Sequence, residues 1–266
     1  MKNTQIISVI NQKGGVGKTT TVINLATALA FRKKKVLVID LDPQGNATTG
    51  LGLRNDDDTK TIYDVLNGNS NFENTIKDTS IDNLKLVSSN VDLSGLEIET
   101  ASENRRAFLL KDKIENFVNS SKNDFSYIFI DCPPSLSLLT VMSLVVANSL
   151  IVPLQTEFFA LEGLTQLIKT IDRIKINLNS NLKIRGVLLT MYDKRNKLSA
   201  QVEADARKFL SEKVYHTVIP RNVRLSEAPS HGIPILVYDK TCSGSISYSD
   251  FAEEFLKQEN ILESAA

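Results

Sequence analysis

Gln12-Lys13-Gly14-Gly15-Val16-Gly17-Lys18-Thr19-Thr20 joins an apolar run, Ile6–Ile10, to a stretch in which Val22, Ile23, Leu25, Ala26 and Leu29 recur at helical spacing. A glycine-rich turn between a buried strand and a helix is a phosphate cradle. Without a Cβ, Gly14, Gly15 and Gly17 can take positive φ, so that backbone N–H groups of the loop, those of Val16 and Thr20 among them, close on phosphate oxygens at the positive end of the helix dipole. Lys18 is placed to neutralise the β- and γ-phosphates, and the Thr19 hydroxyl suits Mg²⁺. The common pattern G-x-x-x-x-G-K-[ST] wants a glycine at position 12. Gln12 stands there instead, and a second lysine, Lys13, has entered the loop. This is a variant P-loop. A plain strand-to-helix turn with solvated lysines is the alternative, and the flanking strand and helix patterns weigh against it.

Working outward, apolar and β-branched runs at Val36–Asp40, Leu84–Val87, Tyr127–Asp131, Leu150–Pro153, Ile184–Thr190 and Val214–Ile219 alternate with helical patterns. The strongest of these patterns, Phe158–Ile176, is amphipathic, and Leu198–Lys213 is a weaker one. The alternation predicts an α/β fold, a P-loop NTPase with a mostly parallel twisted sheet and helices on both faces. Nothing in 266 residues demands a second unit, so residues 1–266 are expected to form a single ATPase domain. Arg54–Lys60, with three consecutive aspartates, and Asn67–Asn74 read as polar connections.

Lys plus Arg and Asp plus Glu both number 31, so a nucleic acid would have to be met by local patches, not by a global basic field. The longest apolar run, Leu144–Leu154, contains Asn148 and Ser149 and falls far short of the ~20 residues that span a bilayer. No secretory pattern opens the chain, and Cys132 and Cys242 fit free thiols better than a disulfide framework. A soluble, cytoplasmic protein without membrane attachment is therefore expected. His216 and His231 lack metal-ligand spacing.

Two strand-ending aspartates stand where a metal-dependent NTPase needs them. Asp131 closes the hydrophobic run Tyr127–Asp131 in the Walker B manner, and Cys132-Pro133-Pro134-Ser135 after it suits a γ-phosphate-sensing loop. Asp40-Leu41-Asp42-Pro43-Gln44-Gly45-Asn46 follows Val36. If the chain stays extended there, Asp40 and Asp42 project to one side, one near Mg²⁺ and one near an attacking water. An ordinary Asp-Pro turn is the bland reading of this stretch.

K-G-G-V-G-K-T-T, D-L-D-P-Q-G-N, F-I-D-C-P-P-S and I-P-R-N-V-R-L-S-E-A-P-S-H-G together resemble the ParA/Soj family of partition ATPases, within the MinD/ParA superfamily, over nearly the whole chain. The resemblance implies an ATP-dependent homodimer in which Lys13 crosses to the partner's nucleotide. Thr19, Asp40 and Asp131 would serve Mg²⁺, Asp42 hydrolysis, and Pro220 and Asn222 the base side of the pocket. It also implies a ParB-type partner that stimulates hydrolysis and a nucleoid-associated location. Arg195 and Arg224 align with arginines that hold nonspecific DNA in chromosomal members. The basic cluster Arg32–Lys35 ends a helix, where cations complement the dipole.

No helix-turn-helix extension precedes the loop, so DNA contact is expected through phosphates, without sequence preference and steeply salt-dependent. A MinD-like membrane ATPase is the rival. It would need a basic amphipathic C-terminal helix, and Tyr248–Glu263 carries Glu253, Glu254, Glu259 and Glu263. Iron–sulfur ATPases of related fold would need a C-x-x-C that is absent, and a dethiobiotin-synthetase-like ligase would need a carboxylate pocket the sequence does not display.

Overall fold

The fold is that of a computed structural model whose described residues are 4–54, 56, 59–120 and 123–264, without the side chains of 260–264. Asp57, Asp58 and the side chain of Glu263, on which two of the readings above lean, lie outside them. Among the described residues seven strands form one sheet: β1 (Gln5–Val9), β2 (Val36–Asp40), β3 (Ile76–Asp78), β4 (Leu84–Val87), β5 (Tyr127–Asp131), β6 (Ser149–Gln155) and β7 (Lys183–Thr190). Their order is β3-β4-β2-β5-β1-β6-β7, with every pairing parallel except β3 with β4. The helices are α1 (Lys18–Phe31), α2 (Asn46–Gly50), α3 (Ile62–Leu66), α4 (Phe72–Thr75), α5 (Leu96–Glu99), α6 (Leu109–Val118), α7 (Leu138–Val146), α8 (Ala160–Asn177), α9 (Lys197–Leu210), α10 (Val223–Glu227), α11 (Ile235–Tyr238) and α12 (Ser243–Ser264).

Strand side chains alternate between faces, and both faces are covered. Ile7, Val9, Val36, Val38, Tyr127 and Phe129 pack with Leu25 and Leu29 of α1 and Phe251 and Phe255 of α12. Ile6, Leu37, Ile39, Ile128 and Ile130 turn to the other side, against Leu110 and Ile114 of α6 and Met142 of α7. A third cluster joins β6 and β7 to α8 and α9 through Leu150, Val152, Val187, Leu189, Leu164, Leu167 and Val202. Continuous apolar strands therefore follow from a parallel sheet buried on both faces, as expected.

Three expectations are corrected. Val214–Ile219 makes only isolated bridges, Val187 with Val214 and Tyr192 with Pro220. Between them the His216 and Thr217 N–H groups donate to the Glu254 carboxylate of α12 at 2.7 and 2.9 Å, which takes them out of the ladder. Asn67–Asn74 is not wholly a connection either: Phe72 begins α4 and stacks on Phe117 at 4.9 Å between ring centroids, delivering the chain into the short antiparallel edge strand β3. The predicted helix at 158–176 begins at Ala160, which leaves Phe158 and Phe159 exposed, their rings edge to face at 5.0 Å.

Candidate active site at the carboxyl edge of the sheet

β1 lies between β5 and β6, and the chain leaves it toward β2 on one side while β6 and β7 extend the other. Ligands in open α/β sheets sit at such a reversal, outside the carboxyl ends of the strands. A cavity of about 760 Å³ opens there, within the range of small-molecule sites. Its lining includes Gly14, Gly15, Gly17, Lys18, Thr19 and Thr20 from the loop and α1, Asp42 and Gln44 after β2, and Pro133, Pro134 and Ser135 after β5.

The loop is held from beneath. Asn11 Nδ2 donates to the Pro153 carbonyl at 2.7 Å while its Oδ1 accepts from Lys13 N at 3.0 Å, and Thr190 Oγ1 donates to the Val16 carbonyl at 2.8 Å. These bonds tie it to the ends of β6 and β7. Gly15 and Gly17 have φ of 72° and 90°, the left-handed region that a side chain resists. Gly14 does not share it, contrary to expectation, because the loop's reversal is completed by the two later glycines. No side chain caps α1, so its first N–H groups remain available to an anion.

Lys18 is 7% exposed, and Nζ donates to the Lys13 carbonyl at 3.1 Å. Burial lowers its pKa, while Asp131, Cys132 and Asp42 nearby favour the charged form. Asp131 is fully buried, and neither carboxylate oxygen has a hydrogen-bond partner. Burial pushes its pKa well above the usual carboxylate range and Asp40 adds to the rise, while the Thr19 hydroxyl and Lys18 oppose it. One ammonium thus faces several carboxylates, and an orphaned buried carboxylate sits beneath the Thr19 hydroxyl. That donor set fits a hard divalent cation. Among the described residues no group of three or more His, Cys, Asp or Glu side chains forms a metal site alone, so such a cation would share its ligands with phosphate oxygens, as magnesium does.

Asp40 and Asp42 part company. Beyond β2 the chain turns, Gly45 N donating to the Asp42 carbonyl at 2.9 Å, and Asp42 lines the cavity while Asp40 does not. Asp40 Oδ2 accepts from Thr48 N at 2.8 Å and Thr48 Oγ1 at 2.7 Å, and Oδ1 from Asp42 N at 3.2 Å. With three protein donors on its carboxylate, Asp40 is arranged as a loop anchor. Burial raises its pKa to about 6 against the pull of those hydrogen bonds.

Lys13 does not line the cavity and pairs with Glu157 at the surface. Pro220 lies in a neighbouring cavity of about 640 Å³ with Tyr192, Arg195 and Arg221, and Asn222 caps α10, its Oδ1 accepting from Arg224 N at 2.8 Å. Neither lines the phosphate cavity. Arg195 is exposed and forked onto Asp193 at 3.1 Å through both Nε and Nη2; Arg224 pairs with Glu227 at 2.8 Å. Sequence reasoning missed Thr48, and it missed the rim formed by Leu93, Ser94 and Glu97, which the fold carries to the cavity from the far side of β4. Thr48 lies two residues beyond the recognised D-L-D-P-Q-G-N stretch, and the rim has no local signal.

A family model described as an AAA domain, AAA_31, matches residues 4–184. The chromosome partitioning protein ParA of Caulobacter vibrioides is 50% identical over 255 residues, covering 96% of this chain and 95% of the relative. The sporulation initiation inhibitor protein Soj of Bacillus subtilis is 48% identical over 250 residues, covering 94% and 97%. Among solved structures, cobyrinic acid a,c-diamide synthase from Mycobacterium smegmatis with bound ADP and magnesium superposes with a TM-score of 0.83 at 33% identity, over 97% of this chain and 96% of that one. With the variant glycine loop, the strand-ending aspartates and near-complete coverage by such relatives, the chain belongs to the ParA/Soj family of partitioning ATPases.

Proposed function

We propose that this partitioning ATPase is a single-domain switch whose ATP-bound homodimer holds DNA without sequence preference and releases it when a ParB-type partner triggers hydrolysis. The observation that carries the proposal is Lys18, lining a cavity of nucleotide size at an uncapped helix N-terminus, with the unpaired Asp131 carboxylate buried within its electrostatic reach. ATP would lie with its phosphates on residues 13–20. Thr19 and Asp131 would hold Mg²⁺, which when bound neutralises phosphate charge. Lys18 offsets charge on the transferred group, and Asp42, at the cavity wall, orients the attacking water. Phosphoryl transfer asks for position and charge more than for a strong base.

Lys13 reaches the partner's nucleotide only after leaving Glu157. With side chains 53% and 30% exposed, such a pair contributes about 0–1 kcal/mol, so its release costs little. Pro220 and Asn222 would meet the base side once the dimer closes. Arg195 and Arg224 would exchange carboxylate partners for phosphates, with Arg221 alongside. The location on the nucleoid follows from DNA retention.

The test is ATP-dependent retention on nonspecific DNA at low salt, read beside turnover with and without a ParB-type partner. D42A should bind ATP and stay on DNA with turnover lowered about a hundredfold or more. R195E/R224E should hydrolyse basally but fail to be retained. Retention that is indifferent to ATP and to both arginines would sink the proposal.

A further inference from the structure

Thr48 joins the loop after β2 to the ends of β2 and β4, which are neighbours in the sheet. Its backbone N–H and its hydroxyl both donate to Asp40 Oδ2, at 2.8 and 2.7 Å. The same hydroxyl oxygen accepts from Ser89 N at 3.1 Å, just past the end of β4. From the other oxygen of Asp40 the chain of bonds continues to Asp42 N at 3.2 Å, and Asp42 Oδ1 in turn accepts from Gln44 N at 3.0 Å. Asp40, Thr48 and Ser89 are 0%, 3% and 2% exposed, so water does not substitute for any of these partners. Gly45, with φ 64°, brings the loop so close that a Cβ there would stand 3.5 Å from the Ser89 carbonyl. The loop carrying Asp42 is therefore tied to the end of β4 by a side-chain bridge whose connecting atom is the Thr48 hydroxyl oxygen, beside the backbone bond from Leu41 N to the Asp131 carbonyl.

We infer that Thr48 is a positioning residue for hydrolysis: by holding Asp40 against the Ser89 amide it fixes the placement of Asp42 at the cavity wall. The inference rests on the role proposed above for Asp42. Removing the hydroxyl takes a charge-assisted donor from Asp40 and leaves the Ser89 N–H buried without its acceptor. The part of the network free to relax is the turn from Asp42 to Gly45, and misplacement of a reacting group by about 1 Å costs on the order of a hundredfold in rate. The phosphate loop is held separately by Asn11 and Thr190, so nucleotide affinity should not follow.

The experiment compares wild type, T48V, T48S and D42A for steady-state ATP turnover and for binding of a magnesium complex of a non-hydrolysable ATP analogue. T48V should lose turnover by about tenfold or more with analogue affinity within about twofold, and T48S, which restores the hydroxyl, should regain most of the rate. A purely structural role would shift the melting temperature of both variants without this split. If T48V does not fold, T48A takes its place, since alanine removes the hydroxyl without crowding the helix. D42A inactive with T48V fully active overturns the inference and leaves the role of Asp42 standing; an active D42A removes that role, and the inference with it. Equal losses of affinity and turnover in T48V would also overturn it.

Discussion

Cys132 sits directly after Asp131, buried, with its Sγ 3.1 Å from Ser143 Oγ. Burial pushes its thiol up to about 12. Because the raised pKa disfavours the thiolate, the buried group stays protonated and unreactive at pH 8, whereas Cys242 is partly exposed to solvent. A thiol reagent at pH 8 should therefore count one cysteine per native chain and two after denaturation. Two in the native protein would mean that the floor of the site is open. At this scale the sequence was legible where the arrangement is local: Gly15 and Gly17 take the left-handed conformation, and Lys18 and Thr19 line the cavity beside them. The anchoring of Asp40 was not legible, because its partners are Thr48, eight residues on, and through it Ser89, another 41 away, a pairing that only folding creates.

α1 and α12 show what the phosphate loop rests on. Tyr248 OH and Thr21 Oγ1 are 3.2 Å apart in the buried seam between the two helices, and Arg32 Nη2 donates to the Ser249 carbonyl at 2.9 Å. Phe255 is wholly buried on the sheet, packed by Tyr127 and Phe129 and covered by the Arg185 guanidinium, whose Cζ lies 3.8 Å from the ring centroid. F255A should destabilise the fold by about 3–5 kcal/mol in denaturant unfolding, since a cavity between helix and sheet cannot collapse without moving α1. A loss below about 1 kcal/mol would show that α12 is peripheral. α1, α8, α9 and α12 were legible from their periodicity, and the central strands from their apolar runs. Val214–Ile219 was not, because Glu254 on α12 claims the amides that a ladder would have used.

Across the whole molecule, the sheet gathers the loop after β1, Asp42 after β2, Asp131 at the end of β5 and Glu157 after β6 along one edge, so the chemistry and the exposed Phe158–Phe159 pair share a side. That clustering was foreseeable from strand ends once the fold was read as parallel. The rim of Leu93, Ser94 and Glu97 was not, since it depends on how the chain returns after β4. Among the described residues no helix is long and apolar enough to cross a membrane. Two neighbouring aromatic rings, 75% and 67% exposed, are a poor surface to leave in water, and they follow directly in sequence on Glu157, the ion-pair partner of Lys13. Covering them is a second-order event. Dilution should then do more than slow encounters: activity per subunit ought to decline across a dilution series in saturating ATP, and a flat profile would place these rings outside any seam between chains.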